Sequence, residues 1–256
     1  VLKSLLGLAL SCMLGAGSAH AASSGVVIHK DHDPDVLWKL VHQKCAHGLK
    51  PCAVYDDKRG IALLHSIEGK GQYLLIPTEK VTGMESPALL RSDQPNYFAS
   101  AWAYRERVGR DYHQTIPESR LSLAINSQKG RSQNQLHIHL DCLEPRMRAL
   151  LDRDAAQIGP SWSDLPEAFN GHRYRALYLA TLNGSPFRIL AATLAHPERD
   201  MGDHTLVLAP LGSGFALLDD VAQGDDRASG EEVQDHACHG IAASANDAYA
   251  SSHNQL

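Results

Sequence analysis

Apolar residues along the chain recur with two different periods, and each period predicts its own element. Between residues 35 and 45, Val36, Leu37, Leu40 and Val41 return at helical spacing, so a short helix is expected, ending near His47-Gly48. Two strands should follow, Gly60 to Ser66 and Gln72 to Pro77, joined as a hairpin by the turn Glu68-Gly69-Lys70-Gly71. Residues 95–112 read as one helix. Pro95 stands near its start, Phe98, Ala101, Trp102, Val108 and Tyr112 share one face, and Arg105, Glu106 and Arg110 are left for water.

The sharpest alternation comes next. In Arg120 to Asn126, Leu121, Leu123 and Ile125 alternate with Ser122, Ala124 and Asn126. In Gln135 to Asp141, Leu136, Ile138 and Leu140 alternate with Gln135, His137 and His139. A period of two sends these sets to opposite faces of a sheet. The two strands, joined by the polar loop Ser127 to Asn134, therefore predict a small antiparallel sheet with a hydrophobic back and a reactive front. Further on, 145–158 should be a helix opened by Pro145, 172–182 and 203–219 contain strand-like runs, and 186–195 and 229–238 have helical character. The expected fold class is α+β: an antiparallel sheet with packed helices and a C-terminal strand/helix extension.

The ends of the chain break these patterns. Lys3, the apolar run Leu5 to Leu14 and the small-x-small triplet Ala19-His20-Ala21 read as a secretory signal over residues 1–21. The same stretch also suits an uncleaved membrane anchor, although a full span needs about 20 apolar residues. Residues 22–34 read as a linker, 35–240 as one domain, and 241–256, rich in Ala, Ser, Asn and His, as a disordered tail. The expected location is the periplasmic face of a bacterial inner membrane, or the periplasm after cleavage.

Export changes the reading of the cysteines. Without Cys12, four remain: Cys45, Cys52, Cys142 and Cys238, an even number suited to an oxidising compartment. Cys45 with Cys52 closes a short loop containing Gly48 and Pro51, which leaves Cys142 with Cys238; four buried thiols are the other possibility. The formal charge of −5 excludes a general attraction to nucleic acid or to an anionic surface, so an anionic ligand must be held by local groups.

Those local groups lie around the polar strand. His137 and His139, two apart, share a face, so one can attack while the other orients or polarises. A neutral imidazole attacks phosphorus well, and the phosphoramidate formed is then open to water. Its second nitrogen needs an acceptor that fixes the tautomer. Gly130, Arg131 and Ser132 could offer a backbone amide, a guanidinium and a hydroxyl to phosphate oxygens, and Asn126 ends the neighbouring strand on the polar side. No cofactor is expected. His-x-His also suits zinc, with a third ligand from, for instance, His65 or His113, which would make a metal-dependent phosphohydrolase.

Asn126, Gly130-Arg131-Ser132 and Gln135-Leu136-His137-Ile138-His139 together resemble the histidine-triad superfamily, whose strand reads His-x-His-x-His behind a Gly-x-Ser loop. Gln135 takes the first position, and the resemblance implies a histidine-triad-like (HIT-like) sheet with His137 as the nucleophile. A closer resemblance is to the bacterial CDP-diacylglycerol pyrophosphatases. It is carried by Tyr73-Leu74-Leu75-Ile76-Pro77-Thr78, Gly83-Met84-Glu85-Ser86-Pro87, Ser122 to Ser127, Gly130 to Asn134 and His137-Ile138-His139 with Cys142. Ser161-Trp162, Gly171-His172, Ser185-Pro186-Phe187, Met201-Gly202 and Asp235-His236 with Cys238 continue it. The resemblance implies cleavage of CDP-diacylglycerol to CMP and phosphatidate through a histidine adduct, at a membrane surface. A transferase passing CMP to an acceptor other than water, and a protein that only binds nucleotide or lipid, are the competing functions.

Overall fold

In the computed structural model, residues 33–239 and 241 are described. The expected signal, most of the linker and all of the tail except Ile241 lie outside these residues. The described chain is a mixed structure built on one nine-stranded sheet. The strands are β1 (Cys52–Asp56), β2 (Ile61–His65), β3 (Tyr73–Pro77), β4 (Leu121–Ile125), β5 (Ile138–Cys142), β6 (Ser163–Asp164), β7 (Arg175–Leu179), β8 (His204–Leu211) and β9 (Gly214–Val221). Their order is β1-β2-β3-β5-β4-β8-β9-β7-β6, and each neighbouring pair is antiparallel. The helices are α1 (Val36–Gln43), α2 (Tyr97–Trp102), α3 (Arg107–Tyr112), α4 (Pro145–Asp154), α5 (Pro186–Ala191) and α6 (Pro197–Asp200). Among the described residues no helix is long and apolar enough to cross a membrane.

One face of the sheet carries a continuous core. Ile61, Leu63, Leu75, Leu123, Ile138, Leu140, Leu206 and Leu208 meet Phe98, Ala101 and Val108 of α2 and α3 and Phe187 of α5 there. The opposite face is divided. At one end Ala62, Leu64, Leu74 and Ile76 are covered by Leu37 and Val41 of α1. At the other, Ala124, Val207, Ala209 and Leu218 are covered by Met147, Leu150 and Leu151 of α4. His139 pairs in register with Leu74 on one side and Ala124 on the other. Directly paired residues share a face, so His139 lies in the gap between these two apolar clusters. The reactive front is thus a polar strip between covered ends, not a wholly polar surface.

Several expectations change in detail. The helix expected over 95–112 is two, α2 and α3, with a turn between them. Tyr104, in the turn between them, packs on the core. Strand β1 lacks a clean alternation and was not expected. The run 203–219 is a hairpin, β8 and β9, turned at Gly212 in the left-handed region (φ 56°). The helix expected over 229–238 is only a 3-10 turn, Gly230–Val233, followed by the bridge of Gln234 to Leu143. Tertiary contacts override helical propensity there: the Glu231 amide goes to Asn126 Oδ1, and the Asp235 amide goes to the Cys142 carbonyl. Ile241, assigned to the tail by composition, is buried in the main core.

Two disulfides are present. Cys45–Cys52 links the end of the α1 region to β1, and Cys142–Cys238 links the end of β5 to the segment after the 3-10 turn.

Candidate active site

A cavity of about 290 Å³ opens where the polar strip meets α1. Val36, Leu37, Leu40, Leu64 and Leu74 form an apolar wall, and Asn126, Gly130, Ser132, His137, His139 and Glu231 a polar one. α1 is fastened to the loop before β5: the Leu37 amide donates to Gln133 Oε1 (3.3 Å), and the Asn134 amide donates to the Pro34 carbonyl (2.6 Å). The helix and the loop therefore form one side of the cavity together.

His137 precedes the first paired residue of β5 and is 7% exposed. Its Nδ1 lies 2.6 Å from the Gln135 carbonyl oxygen. A carbonyl can only accept, so Nδ1 carries the hydrogen and Nε2 keeps its lone pair. Burial first, and then the nearby His139, push the His137 pKa from 6.5 down to about 4. The ring is neutral at physiological pH. Because protonation would remove the lone pair, a reaction begun by His137 should hold a level kcat/KM from pH 7 to about 5. It should then fall through a single ionisation near 4. A limb centred near 6.5 in a pH–rate profile would contradict this placement. Stability follows the same group: the unfolded imidazole takes a proton first, so stability is lost as pH falls from about 6.5 to about 4.

His139 stacks edge-on against His137, with ring centroids 4.8 Å apart. Its Nδ1 lies 2.9 Å from Glu231 Oε1, too obliquely for a directed hydrogen bond, and its Nε2 has no protein partner. The contact is an electrostatic one between a buried ring and a half-buried carboxylate. Burial alone would raise the Glu231 pKa, but His139 and the amide of Asn126 outweigh it and hold the carboxyl at about 2. Asn126 Nδ2 donates to Glu231 Oε2 (2.6 Å), while Asn126 Oδ1 accepts from the Ser229 hydroxyl and the Glu231 amide. Asn126 thus acts on Glu231, and Glu231 on His139.

The loop residues divide by what already occupies them. The Gly130 and Arg131 amides both donate to the Ser127 carbonyl. A Cβ on Gly130 would stand 3.1 Å from the carbonyl oxygens of Arg227 and Ala228, so a side chain there would have to push those carbonyls back by a few tenths of an ångström. The Arg131 guanidinium does not line the cavity. It makes a two-pronged pair with Glu85, at 2.6 and 2.8 Å, and crosses Gly83 so closely that a Cβ there would stand 2.3 Å from Nη1. Ser132 does line the cavity, and its hydroxyl and amide make no protein hydrogen bond among the described residues. Gln135 is fully buried away from the cavity, and its Nε2 donates to the Pro77 and Glu79 carbonyls. It supports His137 through its backbone oxygen.

Glu231 was missed in the sequence, where it lies inside an expected helix. The cysteine pairing held the clue. Cys142 with Cys238 returns the C-terminal segment to the end of the histidine strand, and Glu231 lies seven residues before Cys238. The other two histidines considered as metal ligands stand elsewhere. His65 Nε2 is 3.3 Å from Asp111, and His113 caps α3 in the left-handed region. Among the described residues the His137–His139 pair belongs to no group of three ligand atoms that all lie within 4.8 Å of one another.

The sequence model of the CDP-diacylglycerol pyrophosphatase family matches residues 32–242. The chain belongs to this family. The matched span contains the whole cavity and both disulfides. A CDP-diacylglycerol pyrophosphatase from Yersinia pestis is 40% identical over 216 residues, which cover 80% of this chain and 84% of that relative.

Proposed function

We propose that this chain hydrolyses the pyrophosphate bond of CDP-diacylglycerol to CMP and phosphatidate, with His137 Nε2 as nucleophile. The reading is carried by one observation: a neutral imidazole, its Nδ1 held by a carbonyl, facing the cavity of a chain of this family. The arrangement agrees with a histidine-triad type of site in which Gln135 replaces the first histidine.

Cavity size bears on which phosphorus is attacked. A space of about 290 Å³ lies at the small end of ligand pockets and suits a nucleotide better than two acyl chains. The apolar wall would take the flat pyrimidine, and the phosphorus bearing the nucleoside would then stand at His137. In the first step a P–N bond forms at Nε2, the bond from that phosphorus to the bridging oxygen breaks, and phosphatidate leaves. The proton stays on Nδ1, donated to the Gln135 carbonyl, and that carbonyl stabilises the positive ring. In the second step water attacks the phosphorus, the P–N bond breaks, CMP leaves, and the water proton passes to solvent. Ser132 would donate to the phosphate oxygens. His139, backed by Glu231 and Asn126, would face the charge that grows on them. Arg131 holds the loop in place through Glu85.

The partner in this reading is a lipid nucleotide met at a membrane surface. The periplasmic location is supported by the apolar leader and the two disulfides. Mass spectrometry of enzyme quenched during turnover should show a CMP adduct on the peptide containing His137. A phosphatidyl adduct there would move the attack to the other phosphorus, and an adduct on another residue would end the proposal.

A further inference from the structure

A second group of chemically active side chains lies outside the cavity. His172, just before β7, Asp220, on β9, and Asp226, in the loop after β9, each offer one ligand atom, and these atoms lie within 4.8 Å of one another. Asp220 is 5% exposed, and its Oδ2 has no hydrogen-bond partner although it lies 4.0 Å from His172 Nδ1. A bare carboxylate oxygen that deeply buried is costly unless something binds it. Glu232 Oε1 lies 2.8 Å from His172 Nδ1 and also accepts the Tyr174 hydroxyl. A carboxylate on one ring nitrogen is the contact that fixes the tautomer of a metal-binding imidazole and frees the other nitrogen. That other nitrogen, Nε2, lies 3.6 Å from Asp226 Oδ1. Three carboxylates surround a single imidazole, and the neighbouring Arg173 and Arg227 are exposed and form no ion pair with them.

We propose that His172, Asp220 and Asp226 bind one divalent cation of the zinc class, with Glu232 orienting the imidazole. An imidazole nitrogen among carboxylates selects Zn²⁺ or its neighbours over Ca²⁺ and Mg²⁺, which take oxygen ligands. Bonds of about 2.0–2.2 Å place tetrahedral ligand atoms about 3.3 Å apart. His172 Nε2 already lies 3.6 Å from Asp226 Oδ1, and the three ligand atoms lie within 4.8 Å of one another, so the Asp226 loop can supply the remaining closure. Solvent completes the shell.

The cation touches no substrate. It pins the chain between β9 and the 3-10 turn, and that chain builds the site. The Arg227 and Ala228 carbonyls accept from the Ser127 hydroxyl and amide, and Ser229 and Glu231 engage Asn126.

Isothermal titration of the full, disulfide-intact chain with zinc chloride, after chelator treatment and dialysis, tests the site. Wild type and His137→Ala should each bind one zinc per chain and gain thermal stability from it. Binding should weaken at least about 100-fold in Asp220→Asn and Asp226→Asn, and about tenfold in Glu232→Gln. Asp226 is partly exposed, so Asp226→Asn decides the matter if Asp220→Asn fails to fold. No binding by wild type, or equal binding by Asp226→Asn, would overturn the site. Binding lost in His137→Ala would assign the metal to the cavity instead.

Discussion

Replacing His137 with alanine should lower CDP-diacylglycerol hydrolysis by at least about 10⁴-fold if His137 is the nucleophile proposed above, because losing a covalent nucleophile removes the reaction path and not merely a contact. The fold should survive. The ring's polar partner is the Gln135 carbonyl, and its other ring contact is His139 at the cavity edge. The ring is buried, but the space it leaves opens to the cavity and can take water, so the loss of stability should stay small. Circular dichroism and the urea midpoint should stay close to wild type while turnover disappears. Added imidazole, small enough to enter the vacated space, should restore a measurable fraction of the rate. Activity within tenfold of wild type in a correctly folded variant would mean that the phosphorus is attacked by something else.

The double change Cys142→Ser with Cys238→Ser should cost most in stability. That bond spans 96 residues, and closing a loop of about 100 residues is worth about 4.7 kcal/mol in the chain-entropy picture, within a usual range of about 2–5. The bond between Cys45 and Cys52 spans only 7 residues, for which the same relation gives about 2 kcal/mol. Local chemistry widens the difference. Asp141 is fully buried beside Cys142, and burial raises its pKa against the pull of His236. His236 Nδ1 lies 2.7 Å from Asp141 Oδ2, and the His236 pKa is raised by that contact. Cys238 stands two residues beyond His236, so opening the bond loosens the group that keeps Asp141 paired. The same segment carries Glu231, so activity should fall together with the urea midpoint. Equal losses for the two cysteine pairs would show that the long bond holds nothing that other contacts do not already hold.

The polar strand and the shared face of its two imidazoles were legible in the sequence because a period of two needs no long-range information. Once Leu136, Ile138 and Leu140 face a core, His137 and His139 must face away from it. The β2–β3 hairpin and the first helix were legible for the same local reason. The length of the helix over 95–112 and the fate of 229–238 were not. Both depend on what packs against them, and contacts of Tyr104, and of Gly230 through Asp235, override local propensity.

By itself the sequence determined which imidazoles share a face, which cysteines could pair cheaply, and which loop lies before the reactive strand. Tertiary structure alone decided that Glu231 stands behind His139, 92 positions further along the chain, and that Arg131 serves Glu85 instead of the cavity. The physical reason is the same in both cases. A charge drawn out of water, such as the Glu231 carboxylate or the Arg131 guanidinium, must find polar partners wherever folding brings them, and the distance along the chain gives no sign of where that is.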